Sequence, residues 1–337
     1  MPGAGPGHGG AARERGGGAQ RPRVGYLGPA GTFTEEALLS SARADAVEPA
    51  GYATIYDTVL AVREGAVRWA VVPIENSLDG SVTVTLDLLA DERGDLEIVG
   101  EALLAVRHSL IAAEIVELGE IDTVISHPQV PGQCTRLLRG ELAHARVLPA
   151  SSTAEAVRLV ATERRRGQAA LGTRLAAEIY GATVVREGVQ DREDNVTRFV
   201  WLVRGERSAL ATGGDPGGEL AGAAGLTGQA AARAALRAAS ASGPAGWKTS
   251  VVFWGAGADS HGWLVRCLDE FAQRAINLTK IESRPRRGSL GHYMFFVDLQ
   301  GGVEEPAVEH ALAGLRAVCE EVRVLGSYPA AAVPAGS

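Results

Sequence analysis

One pattern recurs between residues 24 and 203 and limits the possible folds: an extended apolar run, a short turn and then the start of a helix. In its first occurrence the apolar run 23–27 leads through the turn 28–31 to a helix that begins near Thr32. Thr32 and Glu35 have the spacing of a capping box, a pair of side chains that satisfies free backbone N–H groups at a helix start. Alternating strands and helices predict an α/β architecture with largely parallel sheets.

Polar side chains fall where the predicted strands end, which is where ligands bind in α/β sheets. Asn76, His127 and Thr173 each follow an apolar run. Helices start at several of these points, and a helix N-terminus presents unpaired N–H groups and a partial positive charge. A cleft between two lobes built in this way would suit an anion. The alternative is that these residues are ordinary helix caps.

The stretch 194–202 reads as a polar loop that enters a strand, because its apolar residues favour extended backbone. Asn195, Thr197 and Arg198 put an amide, a hydroxyl and a guanidinium at the start of that strand. A core strand does not need these groups. Taken alone, however, the stretch favours a loop-to-strand junction whose polar groups satisfy the local backbone.

The composition excludes several classes of protein. Hydrophobic residues make up 46% of the 337 residues and charged residues 22%, as in ordinary globular proteins. The net charge of -7 argues against nucleic acid or an anionic membrane as the main partner.

The cysteines and the lack of apolar segments indicate where the protein is located. Cys134, Cys267 and Cys319 fit neither a disulfide framework nor a zinc-ligand spacing, which indicates free thiols in a reducing cytosol. No apolar run is long enough to span a membrane, and residues 1–22 lack the apolar core of a signal peptide. We therefore expect a cytoplasmic protein.

The character of the sequence changes after Arg204, where Gly, Ala and Ser dominate up to about Lys248 and indicate a linker. From residue 249 the predicted order is strand, helix, strand, strand, helix, strand, which is the ferredoxin-like βαββαβ arrangement. Such a module can hold a small ligand or pair with its own copy, and the fold alone does not decide between these uses. The predicted units are a disordered tail (1–22), a two-lobed domain (23–204, with lobes of 23–100 plus 172–204 and of 101–171), a linker (205–248) and the C-terminal module (249–330).

Signatures of common cofactor sites do not occur in the sequence: there is no phosphate loop, dinucleotide fingerprint or nucleophile elbow. His127 has no second histidine or acidic residue at ligand spacing, so a hydrogen-bonding role is favoured over metal binding. Glu75 is either a general base or a residue that complements the dipole of a helix start. The sequence thus predicts neither a metal nor a cofactor.

A series of motifs follows the predicted strands in chain order: Gly28-Pro29-Ala30-Gly31-Thr32-Phe33, Pro73-Ile74-Glu75-Asn76-Ser77, Ser126-His127-Pro128-Gln129 with Gln133-Cys134, and Asn195-Val196-Thr197-Arg198-Phe199. These motifs occur in the order found in prephenate dehydratases, and the chain resembles that family over about residues 24–203 and 249–329. The C-terminal module resembles the ACT regulatory domain of that family. The resemblance therefore implies a two-lobed catalytic domain of the periplasmic-binding-protein type, followed by an ACT domain.

The resemblance implies decarboxylating dehydration of prephenate to phenylpyruvate, with Thr197 as the catalytic residue that donates a hydrogen bond or proton to the leaving hydroxyl. The residues that the match predicts to bind substrate are Glu75, Asn76, Ser77, Ser126, His127, Gln133, Thr173, Arg198 and Phe199. Arogenate, which has an amino group where prephenate has a keto group, is an alternative substrate. A two-lobed binding or sensor protein without catalysis is an alternative of another class.

The resemblance also implies L-phenylalanine as an allosteric effector, because the sequence 282–285 matches the family's phenylalanine-responsive motif. The predicted effector-binding residues are Gly262, Leu264, Val265, Glu282, Ser283 and Arg284. Trp263 replaces the alanine usual in the family and is expected to reshape or partly fill the effector pocket. We expect a monofunctional enzyme that forms a homodimer or homotetramer and has no nucleic-acid or membrane partner.

Overall fold

The computed structural model describes residues 21–42, 47–205, 246–255, 260–286 and 291–332. The predicted N-terminal tail and linker lie outside these ranges except for a few flanking residues. The described chain forms three sheets, two for the lobes and one for the C-terminal module. The predicted α/β fold with a C-terminal ferredoxin-like domain is confirmed. None of the helices in the described ranges has the length and apolarity needed to cross a bilayer.

The first lobe is built on a mixed sheet. Its strands and helices are β1 (Arg23–Leu27), α1 (Phe33–Ser41), β2 (Glu48–Tyr52), α2 (Ile55–Arg63), β3 (Trp69–Asn76), β4 (Gly80–Ser81), α3 (Thr83–Leu89), β5 (Leu96–Ala105) and β11 (Val196–Arg204). The strand order is β2-β1-β3-β11-β5, with β4 beside β3. Strands β1, β2 and β3 are parallel, and β11 runs antiparallel between β3 and β5. Strand β11 therefore lies inside the sheet, and its apolar residues from Phe199 to Val203 are buried.

The second lobe has its own sheet. Its elements are β6 (Ser109–Ala112), β7 (Thr123–Ser126), α4 (Thr135–Arg139), β8 (Arg146–Pro149), α5 (Thr153–Glu163), β9 (Gln168–Gly172), α6 (Arg174–Tyr180) and β10 (Thr183–Arg186). The strand order is β10-β6-β9-β7-β8. Strands β7, β8 and β9 are parallel, whereas β6 runs antiparallel to both β9 and β10.

The predicted lobe boundaries need correction. Residues 172–186 were assigned to the first lobe, but β10 pairs with β6, and Ala176 and Ala177 of α6 pack in the core of the second lobe. Strand β5 also extends the first lobe to Ala105. Two segments consequently cross between the lobes, one after β5 and one before β11. They are joined by a hydrogen bond from the N–H of Val106 to the carbonyl of Asn195, at 2.8 Å.

The predicted helix starts are confirmed in part. The backbone N–H of Glu35 binds Oγ1 of Thr32, the N-cap of α1, while the Glu35 carboxylate accepts the N–H of Gly31 at 2.6 Å. Pro128 does not begin a helix. A turn follows β7, and Pro131 instead begins a short 3₁₀ helix, Pro131–Gln133.

The C-terminal module has the predicted βαββαβ order. Its elements are β12 (Trp247–Trp254), α7 (Trp263–Ala272), β13 (Leu278–Pro285), β14 (Tyr293–Gln300), α8 (Pro306–Val318) and β15 (Glu321–Pro329). The antiparallel sheet has the order β13-β14-β12-β15. Both helices pack on one face of the sheet. Sγ of Cys267 on α7 lies 3.7 Å from Sγ of Cys319, and both thiols are free.

The other face of this sheet packs directly on the first lobe. Met294 and Phe296 of β14 share one apolar core with Ile98 of β5, whereas Phe295 faces the two helices, as the alternation of a strand requires. The approach is close at Gly326, where a Cβ atom would overlap with the carbonyl oxygen of Ile98. The C-terminal module and the first lobe therefore form a continuous packed unit.

Candidate active site

The candidate site begins where β3 ends and β11 starts. Asn76 and Thr197 are paired across the antiparallel ladder, and Nδ2 of Asn76 donates a hydrogen bond to Oγ1 of Thr197 at 2.8 Å. The same NH₂ group donates to Oδ1 of Asn195, also at 2.8 Å. Oδ1 of Asn76 accepts the backbone N–H groups of Leu78 and Asp79, each at 2.9 Å. Both ends of the Asn76 amide are thereby fixed.

This contact determines how the Thr197 hydroxyl can act. An amide NH₂ group only donates, so Oγ1 of Thr197 is the acceptor and its own hydrogen remains available. Within the described residues this hydroxyl donates to no protein acceptor. Thr197 is half-buried at the cleft, and it can therefore donate to an oxygen atom of a bound ligand.

A hydrogen-bonded chain continues from this pair into the second lobe. Nδ2 of Asn195 donates to Oε1 of Gln133 at 3.0 Å, and Nε2 of His108 contacts the same oxygen at 3.1 Å. The backbone N–H of His108 donates to Oε1 of Gln190 at 3.0 Å. The chain runs from the end of β3 to the start of β6, so it joins the two lobes across the cleft.

His108 is a neutral, buried member of this chain. Burial lowers the pKa of His108, and the hydrogen bond to Gln133 opposes this effect only in part. Because Oε1 of Gln133 is an acceptor, Nε2 carries the hydrogen and Nδ1 keeps its lone pair. The ring is 2% exposed and stands edge-on to Phe33, with 5.3 Å between ring centroids. Nδ1 is buried and has no hydrogen-bond partner among the described residues.

Two further predicted residues lie at the ends of neighbouring strands in the second lobe. Ser126 ends β7, is 1% exposed, and its Oγ has no partner within the described chain. Thr173 follows β9, where its Oγ1 donates to the carbonyl of Gly31 at 2.6 Å and accepts from the N–H of Ala176 at 2.9 Å. The hydroxyl of Thr173 thus caps α6 and links the two lobes, whereas the buried hydroxyl of Ser126 has no partner within the described chain.

Ser77 and His127 lie beside the hydrogen-bonded chain rather than in it. Oγ of Ser77 donates to the carbonyl of Asp194 and accepts the N–H of Val196, each at 3.0 Å. Ser77 therefore holds the loop that carries Asn195. Nδ1 of His127 accepts the N–H of Gln129, a local turn contact of 3.4 Å.

Glu75 and Arg198 do not face the cleft with Thr197, whereas Phe199 is on the same face of β11 as Thr197 but is buried in the apolar core. Arg198 pairs with Glu75 across the ladder, and its Nη1 lies 3.3 Å from Oε2 of Glu75 and 2.6 Å from Oδ2 of Asp298 in the C-terminal module. Phe199 is 2% exposed in the core of the first lobe. A guanidinium already surrounded by carboxylates is poorly suited to a substrate carboxylate. We therefore assign Arg198 to the domain interface in place of the substrate-binding role predicted from the sequence.

The six predicted effector residues do not lie together. Gly262, Leu264 and Val265 line a cavity of about 380 Å³ at the start of α7. By contrast, Glu282 accepts a hydrogen bond from Ser81, and Arg284 pairs with Asp87, so both face the first lobe. Ser283, between them on the edge strand β13, is exposed.

Trp263 forms part of the wall of this cavity without closing it. Its ring is 6% exposed and packs against Phe253 and Phe295, and its Nε1 donates to the carbonyl of Val318 at 2.7 Å. The indole is thereby turned into the core of the module. The remaining space falls in the range of roughly 300–1,000 Å³ that is usual for small-molecule sites.

Sequence reasoning missed His108 and left Asn195 undecided between structure and function. His108 directly precedes β6, whose four residues are all buried, and a histidine next to a fully buried strand was the available signal. The partner of His108 is Gln133, 25 residues further on. No spacing rule links two such positions, so only the folded chain reveals the contact.

Fold and site together define a two-lobed α/β protein with polar groups between the lobes and a ferredoxin-like C-terminal module. The family model for prephenate dehydratase matches residues 24–207. A prephenate dehydratase of Mycobacterium sp. (strain KMS) is 38% identical over 321 residues, covering 91% of this chain and 89% of the relative. The chain belongs to the prephenate dehydratase family.

Solved structures give the same picture of the whole chain. The prephenate dehydratase of Arthrobacter aurescens in complex with L-Phe has a TM-score of 0.72 and 33% identity, and 93% of each chain is covered. A protein described as a novel type of quorum quenching acylase has a TM-score of 0.73 and 26% identity, with 92% of this chain and 98% of that chain covered. The first of these supports the family assignment, and the second raises a different activity that the site geometry can be used to assess.

Proposed function

We propose that this protein converts prephenate to phenylpyruvate and that Thr197 donates a hydrogen bond to the departing hydroxyl. The observation that carries the proposal is the Asn76–Thr197 contact of 2.8 Å, which commits Oγ1 of Thr197 to accepting and leaves its hydrogen for a ligand. The family match over residues 24–207 supplies the substrate class.

The reaction balances with a single proton. The bond from the ring carbon to its carboxylate breaks, carbon dioxide leaves, and the electron pair enters the ring. The ring becomes aromatic as the C–O bond on its opposite side breaks, and the departing hydroxide takes up one proton to leave as water. Negative charge therefore grows on the leaving oxygen. A prepositioned donor at that oxygen lowers the barrier, and the fixed amide of Asn76 is what positions Thr197.

Other residues of the cleft provide groups for the two carboxylates and the keto group of prephenate. Oε1 of Gln133 accepts from Asn195 and from His108, so the NH₂ end of Gln133 is directed elsewhere and can donate to an anion. Oγ of Ser126, which has no partner within the described chain, adds a second donor. These neutral donors complete a site in which the substrate supplies the negative charge.

The acylase activity described for the similar structure fits this site poorly. A threonine nucleophile needs an adjacent base that accepts its proton. Here the contact of Thr197 is the NH₂ group of Asn76, which cannot accept one. The thiol of Cys134 is fully buried, and burial together with the charge of Asp191 raises its pKa to about 12. The arrangement therefore favours leaving-group assistance over nucleophilic catalysis.

We further assign the 380 Å³ cavity of the C-terminal module to L-phenylalanine, acting as an inhibitor. The cavity holds three of the six effector residues predicted from the sequence, and the relative of Arthrobacter aurescens was solved in complex with L-Phe. We also expect a homo-oligomer formed through this module, because Val265, Ile281 and Tyr293 expose apolar surface there. Light scattering of the purified protein at several concentrations would measure its mass.

The direct test is an activity assay with prephenate and arogenate side by side, each with and without phenylalanine. We expect phenylpyruvate from prephenate at neutral pH, slower turnover of arogenate, and inhibition by phenylalanine. Binding of prephenate without product would support the non-catalytic sensor instead. Faster turnover of arogenate would reassign the substrate while leaving the role of Thr197 intact.

A further inference from the structure

The catalytic pair has a charged neighbour pair on the opposite side of the sheet. Asn76 and Thr197 are opposite each other in the ladder, and the next rung of the ladder pairs Glu75 with Arg198. Successive residues of a strand point to opposite faces of a sheet. The first pair consequently faces the cleft, and the second faces the C-terminal module.

Both members of this second pair are ion-paired with that module. Nη1 of Arg198 lies 2.6 Å from Oδ2 of Asp298 on β14, and Oε1 of Glu75 lies 3.3 Å from Nζ of Lys280 on β13. Asp298 and Lys280 are themselves opposite each other in the sheet of the module. Two rungs from two different domains thus meet face to face, with opposite charges in contact.

The contacts between the domains are ion pairs and are mostly buried, although the Glu75 side chain is 35% exposed; Nη1 of Arg198 also donates a hydrogen bond to Oε2 of Glu75. The side chains of Arg198, Asp298 and Lys280 are 8%, 6% and 6% exposed. Burial lowers the pKa of Arg198, but the charges of Asp298 and Glu101 raise it by more, so the guanidinium stays charged. Nε and Nη2 of Arg198 have no regular hydrogen-bond partner among the described residues, although Nε lies 3.4 Å from Oε2 of Glu101. Because the attraction between charges depends on their separation, a displacement of either domain changes the interaction within this cluster.

The same strand of the module connects this cluster to the effector cavity. Tyr293 and Phe295 of β14 line the cavity, and Asp298 lies on the opposite face further along the strand. A ligand that shifts β14 on the cavity side therefore shifts the carboxylate that holds Arg198. Because Arg198 is covalently next to Thr197, the displacement reaches the catalytic hydroxyl within one residue.

We propose that Glu75 and Arg198 are positioning residues through which Asp298 and Lys280 transmit the ligand state of the C-terminal cavity to Asn76 and Thr197. The inference rests on the proposed regulation by phenylalanine and adds its route. Coupling of this kind needs a structural element whose arrangement depends on the state of both sites. The paired rungs at Glu75–Arg198 and Lys280–Asp298 are that element.

The test uses variants of the module, which leave the cleft untouched. Asp298→Asn and Lys280→Met remove one charge each from the cluster. Arg323→Met is the matched control, because Arg323 also joins the module to the first lobe, at the carbonyl of Asp91 (2.8 Å), while none of its hydrogen bonds or ion pairs in the described part of the chain involves β3 or β11. Lys280→Arg restores the charge. For each protein, phenylpyruvate formation is measured against phenylalanine concentration, and phenylalanine binding is measured separately by calorimetry.

We expect Asp298→Asn and Lys280→Met to bind phenylalanine within about threefold of the wild-type Kd. At saturating phenylalanine, however, they should retain at least about five times more of their own uninhibited activity than the wild type does. Arg323→Met and Lys280→Arg should be inhibited like the wild type. If these residues only held the two domains together, all the interface variants would lose thermal stability. Phenylalanine binding and inhibition by phenylalanine would then not be affected separately.

Two results would overturn the inference. The route is wrong if the wild type is inhibited and both charge-removing variants are inhibited equally well. It is also wrong if Arg323→Met loses inhibition to the same extent, because any weakening of the interface would then suffice. A wild-type enzyme that phenylalanine does not affect would contradict the regulatory proposal itself, a result distinct from either of these.

Discussion

Replacing Asn76 by aspartate tests how the Thr197 hydroxyl is oriented. Aspartate keeps an oxygen that can accept the backbone N–H groups of Leu78 and Asp79, each at 2.9 Å in the native protein. It replaces the NH₂ group, which donates to Thr197 and Asn195, with a second acceptor. The Thr197 hydroxyl then turns and donates its hydrogen to the new carboxylate.

The size of the effect follows from the bond that the substrate must replace. A hydrogen bond to a charged group contributes about 1.5–3 kcal/mol. Thr197 must give up this bond before it can assist the leaving group, so the activation barrier rises by the same amount. Because each 1.36 kcal/mol is a factor of ten in rate, kcat should fall by about 10- to 200-fold. The loss should appear in kcat, because the bond to the leaving oxygen strengthens in the transition state.

The assay is steady-state formation of phenylpyruvate from prephenate, with kcat and KM determined separately. Asn195→Asp is the matched control, since it adds the same charge at the hydrogen-bonded neighbour of Asn76, 2.8 Å away, but has no hydrogen bond to Thr197 in the native structure. Repulsion of the dianionic substrate should raise KM in both variants. A kcat of Asn76→Asp within threefold of wild type, or an equal loss of kcat in the two variants, would refute the reasoning.

Three further predictions concern stability and reactivity. Gly326→Ala should destabilise the protein by about 1–3 kcal/mol, because the added Cβ would clash with the Ile98 carbonyl. Gly119→Ala is the control and should not destabilise the protein, because residue 119 faces open space. Thermal unfolding of the two variants measures the difference. Since the pKa of His108 is lowered in the folded state, the unfolded chain binds more protons below about pH 6.5. Stability should therefore fall as the pH drops from 6.5 to 5, and the fall should be shallower in His108→Gln. If the melting temperatures of the two proteins fell equally over this pH range, the prediction would be wrong. Cys134, whose pKa is raised to about 12, should resist alkylation at pH 8 in the native protein and react after unfolding, as mass spectrometry would show.

The sequence was informative where a property is local. The cap at Thr32, the βαββαβ order and the strand at 196–204 are each encoded within a few neighbouring residues, and the structure agrees with them. The motif residues Asn76, Gln133 and Thr197 also lie together, linked through Asn195. Their proximity follows from strand ends that meet at one edge of the sheets.

The sequence was uninformative where the answer depends on what covers a surface. Alternation along β11 shows that Thr197 and Arg198 point in opposite directions, but not which direction is the cleft. The C-terminal module packs on the side of Arg198, and that placement converts a predicted substrate ligand into an interface residue. The lobe boundary was misplaced for a similar reason, because the pairing of β10 with β6 is a long-range contact. His108 was missed since its role comes from Gln133 and not from its neighbours in sequence.

The measurement that tests the central claim most directly compares wild type, Thr197→Ser and Thr197→Val in phenylpyruvate formation from prephenate. Serine keeps the hydroxyl that accepts from Asn76, whereas valine keeps the shape and loses the donor. We predict that Thr197→Ser stays within about tenfold of wild type, while kcat of Thr197→Val falls by about 10²–10³-fold with folding unchanged by circular dichroism. A folded Thr197→Val enzyme with nearly wild-type kcat would contradict the assignment of Thr197 as the donor to the leaving hydroxyl.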